Sequence, residues 1–228
     1  MIPLLSSFYF GSVEHYRLLA RHDRVIIDIG EHYERQSYRT RTSIVGPNGT
    51  NDLIVQIERR SGEKMPMHSV GLSYAESWPQ QHLHAIRSAY GQTPWFIHYI
   101  DEIEAVLLKK YDRLVDLNMA TIALGLKWLG LTSMPFVSTH YVEGDEYRIT
   151  EAGCGPVDPS APLDERKPLL DIRSTLHPKK PLPPALSPIR PYPQVFADRH
   201  AFVPRMSVID LVCNCGPDAK RIIRSHGA

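Results

Sequence analysis

The sequence predicts an α/β protein: a small mixed or parallel Rossmann-like sheet with a β-hairpin, a central helical portion and a Pro-rich wrapping segment. Three observations carry this. A strand–helix–strand outline runs from Ile2 through Ile29, the length of a βαβ unit. A Gly46-Pro47-Asn48-Gly49 turn separates two runs of strand character, and helical stripes then fill residues 77–130.

Ile2 to Phe10 reads as a short strand, and Val13 to Ala20 as a helix with Tyr16, Leu19 and Ala20 turned inward. Val25 to Ile29 (VIIDI) is a compact β-branched run that suits an interior strand buried on both faces. The hairpin follows, with Tyr38–Val45 as one arm and Asp52–Glu58, alternating at Leu53, Val55 and Ile57, as the other. Pro presets φ for the turn, while Asn and Gly tolerate positive φ. Ser77-x-x-Gln80 resembles a capping box and Gly91 a stop, which predicts a helix over 79–90. Ile100, Ile103, Leu107, Tyr111 and Leu114 recur at helical spacing, as do Ile122, Leu126 and Leu129 before Gly130, giving three helices around a shared core. Between Pro135 and Pro193 lie 12 of the 19 prolines, which predicts irregular structure wrapped over the surface. The run SVIDLV (Ser207–Val212) returns to the core, with Asp210 either exposed on one face or paired.

These pieces form a single domain over 1–228. It comprises an α/β part with hairpin (1–60), a helical part (77–130), a Pro-rich irregular segment (133–193) and a C-terminal return (194–228). A chain of 228 residues buries roughly 70% of its unfolded surface and needs no disulfide or metal staple. With 26 Lys and Arg against 25 Asp and Glu, it offers no basic field for nucleic acid. Cys154, Cys213 and Cys215 contain no C-x-x-C pair, so neither a disulfide framework nor a zinc site is predicted. No Lys or Arg precedes the apolar start, no small-residue cleavage site follows it, and no run is long enough to span a membrane. The expected location is cytoplasmic.

The densest polar stretch is Glu31–Arg41, directly after the VIIDI run. If it is extended, Arg39 and Arg41 share one face, and two adjacent guanidiniums suit a phosphate or carboxylate between them. The other reading is a solvated hairpin face with Glu31 and Glu34 as partners. His32 stands where α/β sheets place ligand groups. His82 and His84 lie ~200° apart on a helix, so one metal ion cannot easily take both. His82 falls near the Trp78/Ala89 edge, where functional and structural readings both stand, while His84 joins the polar side. No metal site and no nucleophile motif is found: there is no G-x-S-x-G, H-E-x-x-H or Walker loop.

The sequence resembles the WbqC-like protein family. The resemblance rests on FYFG-x-x-E (Phe8–Glu14), EHY-x-x-Q-x-YR-x-R (Glu31–Arg41) with its GPNG turn, and W-x-x-QH-x-x-AI-x-SAYG (Trp78–Gly91). It continues through P-x-F-x-x-Y (Pro94–Tyr99), KKYDRLVDLN (Lys109–Asn118), HPKK (His177–Lys180) and the stretch Tyr192–Pro217. Thr40 and Arg205 stand where the resemblance expects Asn, and Cys215 where it expects an acidic residue. Ser12-Val13-Glu14-His15 occupies the place of an H-x-G-H motif of nucleotidyltransferase-type Rossmann folds and keeps only its last histidine, which supports the architecture and not that reaction.

What the resemblance implies is a bacterial enzyme of surface-polysaccharide (O-antigen-type) precursor modification. The candidate reaction is acyl or aminoacyl transfer to an amino sugar. In this reading Arg39 and Arg41 bind a small anionic or nucleotide-activated substrate, Gln36 and Tyr38 orient it, and His32 or His82 is the general base. No cofactor is indicated. The alternative is a non-catalytic accessory or assembly factor for cell-envelope biosynthesis, meeting envelope-biosynthesis proteins through Pro135–Pro193.

Overall fold

The computed structural model describes residues 1–58, 64–132, 135–143, 146–150, 153–156, 167–184, 186 and 189–225, with the backbone alone at 146–150, 153–156 and 167. The chain opens with β1 (Ile2–Ser6), α1 (Val13–Arg21) and β2 (Ile26–Asp28). It then forms the hairpin β3 (Arg41–Gly46) and β4 (Gly49–Ile54), followed by α2 (Trp78–Tyr90), α3 (Ile100–Leu108) and α4 (Leu114–Trp128). Four short strands come next: β5 (Phe136–Ser138), β6 (Glu146–Thr150), β7 (Gly153–Pro156) and β8 (Lys167–Asp171). Two helices, α5 (Val208–Cys215) and α6 (Ala219–Arg224), end the described chain.

The main sheet has the order β5-β2-β1-β8-β6-β7. Its first four strands are parallel, β6 is antiparallel to β8, and β7 is antiparallel to β6. The chain therefore builds outward from β1 through β2 to β5, then crosses to the other side of β1 to lay down β8. This reversal is a topological switch point, and ligands of open α/β sheets gather at the carboxyl ends of strands beside one. Register sets Ser6, Asp28 and Ser138 level with one another. Asp171, the last residue of β8, pairs with Leu4, and Arg173 follows just beyond that strand end.

The expected strands, hairpin and three central helices form, with informative differences. The hairpin closes with Gly46 opposite Gly49, whose φ of 105° suits glycine. The Ser77 hydroxyl makes no cap bond, its carbonyl accepts from Gln81 N as the first bond of the helix, and Pro79 sits in the first turn, where no intrahelical N–H partner is needed. Gly91 is right-handed, whereas Gly130 at the end of α4 has φ 55°. Helix α1 is enclosed nearly all round: Glu14, His15 and Arg17 are buried along with Tyr16 and Leu19. Tyr16 lies so close to α4 that a Cβ on Gly125 would sit 2.2 Å from its ring.

The segment 133–193 differs most from the expectation of irregular structure. It supplies β5 and β8, which complete the parallel sheet, and the β6–β7 pair. Beyond β8 it does wrap, burying Leu176, Leu186, Ile189 and Tyr192. Residues 157–166 and the Tyr147 side chain, which belong to the same expectation, lie outside the described residues. Helix α5 enters the core as expected, with Cys213 and Cys215 buried and unbridged. Among the described residues, no helix is long and apolar enough to cross a membrane.

Candidate functional site

The carboxyl ends of the parallel strands carry a buried ionic network. Asp28, at the end of β2, is fully buried. Its Oδ1 accepts from the N–H groups of Gly30 (2.8 Å) and Glu31 (3.0 Å), and its Oδ2 from Val142 N (3.0 Å) and Arg173 Nη1 (2.5 Å). Arg173 also grips Asp171 through Nε (3.0 Å) and Nη2 (2.5 Å). Burial alone would loosen the guanidinium proton, but the two carboxylates outweigh it and hold the proton more tightly than usual. Reaching from the end of β8 to the end of β2, this side chain crosses the end of β1 and spans the switch point.

Beside it, Glu31 receives Arg39 in a two-pronged pair, Nε to Oε1 at 2.9 Å and Nη2 to Oε2 at 2.7 Å. The Ser6 hydroxyl also donates to Glu31. Burial pushes the Glu31 carboxyl up, with Arg39 and Ser6 pulling the other way. Arg39 completes its fork with Glu34 (3.1 Å) and the Arg173 carbonyl (3.1 Å). Buried pairs of this kind position groups, and their own charge is already spent on each other.

Over this network lies a rim of exposed cations. Lys179 donates to Gln36 Oε1, and Lys180 donates to the Ser174 carbonyl (2.7 Å) with Glu34 3.7 Å away. Arg205 ties the loop down by donating to the carbonyls of Lys180 (2.8 Å) and His177, and its guanidinium stands 6.0 Å from the Tyr38 ring centroid. His177 Nδ1 accepts from Lys179 N (3.1 Å), which fixes a neutral ring. Gln36 (φ 55°) and Arg205 (φ 67°) are both left-handed without being glycine, so two strained residues brace one loop.

The turn between β1 and α1 adds a third layer. Ser12 caps α1 by accepting from His15 N (3.4 Å), and Phe10 is held at φ 39°. Both carboxylate oxygens of Glu14, both His15 ring nitrogens, Ser7 Oγ and Asn118 Oδ1 are buried without a well-formed hydrogen bond. Buried polar atoms are normally paired, so this clustering stands out. Burial pushes the Glu14 carboxyl up, against its own N–H, Ser12, Arg205 and Arg17, which favour the charged form. It also drives His15 down to about 3, leaving a neutral imidazole between the Phe8 and Tyr16 rings. Asn118 joins this turn to the ionic network through Nδ2 bonds to the carbonyls of Ser7 (3.0 Å) and Arg39 (2.9 Å).

The residues singled out in the sequence divide between this edge and other places. Arg39, Gln36 and Tyr38 belong to the edge, Tyr38 buried and Gln36 exposed. His32 is exposed there too, its ring centroid 6.4 Å from that of Tyr141. Arg41 does not join Arg39 on one anion. Residues 38–40 form a turn instead of extended strand, so the two guanidiniums part, and Arg41 pairs with Asp52 on β4 at 3.0 Å. His82 is buried beside Trp78, with Nδ1 2.9 Å from the Tyr9 hydroxyl; burial drives it down to about 4 and keeps it neutral. Asp28, Glu14, His15, Arg173 and Lys179–Lys180 were not read as site residues. Their signals were a carboxylate closing an apolar run (Asp28) and the FYFG-x-x-E and HPKK motifs. Among the described residues, no three His, Cys, Asp or Glu side chains converge as a metal ion would require.

Comparison with known families covers part of this edge. The model of the WbqC-like protein family matches residues 7–152, more than half of the chain. The chain belongs to the WbqC-like protein family. The match takes in the β1–α1 turn, Asp28, Glu31–Arg41, the hairpin and all three central helices, while Arg173, the HPKK loop and Arg205 lie beyond it. No curated protein and no solved structure matches the chain.

Proposed function

We propose that this WbqC-like protein is a transferase of surface-polysaccharide precursor synthesis, moving an acyl or aminoacyl group onto the amine of a nucleotide-activated amino sugar. The observation that carries the reading is the pair of exposed ammonium groups, Lys179 and Lys180, set above a buried ionic network whose arginines are already paired, at the switch point of a parallel sheet. Arginines buried in ion pairs have little charge left for a ligand, whereas exposed lysines can meet phosphate as point charges.

In this reading Lys179 and Lys180 take the anion-binding role first considered for Arg39 and Arg41, and Gln36 orients the bound group. Arg39 and Tyr38 are positioning residues. His32 accepts the proton of the attacking amine as the new N–C bond forms and the donor's leaving group departs. His82, enclosed and neutral, belongs to the packing of α2. The test is calorimetric titration with UDP-glucosamine. We expect the Lys179→Gln/Lys180→Gln double variant to bind at least tenfold more weakly than wild type, since each ~1.4 kcal/mol lost is a factor of ten. Equal affinity for the two proteins would discard the role given to the lysines, and the reading with it.

A further inference from the structure

Tyr141 is a large ring left 48% exposed, yet the chain around it is fixed at every step. The Ser138 hydroxyl donates to the His140 carbonyl at 2.7 Å, and Val142 N donates to buried Asp28 at 3.0 Å. The Val142 carbonyl accepts from Arg173 Nη1 at 3.1 Å. Backbone atoms of His140 and Tyr141 press so closely on Gly30 that a Cβ there would meet them at 2.3 and 2.4 Å. Only glycine admits this approach, so the segment after β5 is pinned over the exit of β2. Below the ring lies Arg173, its guanidinium carbon 4.7 Å from the centroid. Tyr141 thus roofs Arg173, which spans the switch point, and His32 stands at its border, tilted by 44°.

Holding a half-exposed ring in one place costs conformational freedom without the full return of burial. A flat face presented to solvent at the ligand edge of an α/β sheet recovers that cost when another flat ring lies on it. We infer that Tyr141 is the stacking platform for the nucleobase of a nucleotide-linked substrate, so that the base rests over the ends of β2 and β5 while its phosphates lie toward Lys179 and Lys180. The inference deepens the function proposed above and rests on it. Of the parts of such a molecule, the base alone is planar and aromatic. Stacking of a base on a tyrosine tolerates different bases, so the platform selects for the presence of a base more than for its identity.

The experiment compares wild type with Tyr141→Ala and Tyr141→Phe in calorimetric titrations against UDP, UDP-glucosamine and glucosamine 1-phosphate. Tyr141→Ala is expected to weaken UDP and UDP-glucosamine about tenfold or more and to leave glucosamine 1-phosphate unchanged. Tyr141→Phe, which keeps the ring and loses only the hydroxyl, is expected to bind within about threefold of wild type. Melting temperature serves as the folding control, and the phenylalanine variant preserves the test if the alanine variant is unstable: a loss of UDP affinity in Tyr141→Phe overturns stacking as the interaction. Wild-type affinity for UDP in a folded Tyr141→Ala overturns the platform alone. An equal loss on glucosamine 1-phosphate places the sugar there and overturns the base. Absence of UDP and UDP-glucosamine binding by wild type overturns the transferase reading, and the platform falls with it.

Discussion

Two carboxylates, Asp210 on α5 and Glu14 on α1, are equally sealed from solvent and differ in their hydrogen-bond partners. Asp210 accepts four neutral donors: Tyr90 Oη (2.9 Å), Asn214 Nδ2 (3.2 Å), Tyr192 Oη (2.6 Å) and Gln194 Nε2 (2.8 Å). Those donors come from α2, from α5 itself and from the wrap that precedes it, so one side chain staples three regions. Glu14 is 1% exposed and closes no such bond. Burial raises the pKa of both carboxyls above the ordinary range. A raised pKa therefore does not separate a staple from a working group; the list of partners does. By that measure the α5 region is finished as a structure, while the turn after β1 retains unspent hydrogen-bonding capacity beside the carboxyl edge of the sheet.

The strongest way to break this contrast is Asp210→Ala, which strips the acceptor from four donors, two of them buried tyrosine hydroxyls. Each unsatisfied buried group costs roughly 1–3 kcal/mol, so a loss of about 3 kcal/mol or more is expected in urea denaturation. A loss under ~1 kcal/mol would show that the donors find other partners and that the staple is no staple.

Glu14→Gln tests the other half with a smaller effect of opposite sign. Because the folded carboxyl titrates above its unfolded value, the stability linked to its proton is complete below the unfolded pKa and is lost as pH rises through the folded one. The glutamine variant, which never ionises, should match wild type near pH 4 and exceed it at pH 8. The advantage is expected to be on the order of 1 kcal/mol, or ~2–4 °C in melting temperature for a chain of this size. A destabilised variant at pH 8 would mean that the charged carboxylate is held by a donor after all.

Much of the architecture was legible because it is local. The βαβ outline needs only Val25–Ile29 and the stripe of α1, and the hairpin needs only the Gly46–Gly49 turn between its two arms. Asp210 inside SVIDLV announced that it would be exposed or paired, and it is paired. The strands among the prolines were not legible. Phe136–Ser138 is too short to show alternation, and its place beside β2 depends on a pairing more than 100 residues away in sequence. Arg39 and Arg41 misled for a related reason: period-two spacing puts residues on one face only within a strand, and β3 starts at Arg41. Helical spacing did bring His82 to Trp78, but its enclosure depends on Tyr9, 73 residues earlier. The polar pattern of Glu14, His15 and Arg17 reads as a surface, and only packing of α1 against α4, α5 and α6 buries it. The edge network is tertiary throughout, since Arg173 and Asp28 are 145 residues apart.

The proposed place of the ligand is the carboxyl edge of the parallel sheet, and not the C-terminal helices. Hydrogen exchange read by mass spectrometry, with and without saturating UDP-glucosamine, addresses it directly. Added protection is expected in residues 30–41, 139–143 and 173–180, with α5 and α6 unchanged. Protection confined to α5 and α6, or to the outer face of α2 and α3, would contradict it.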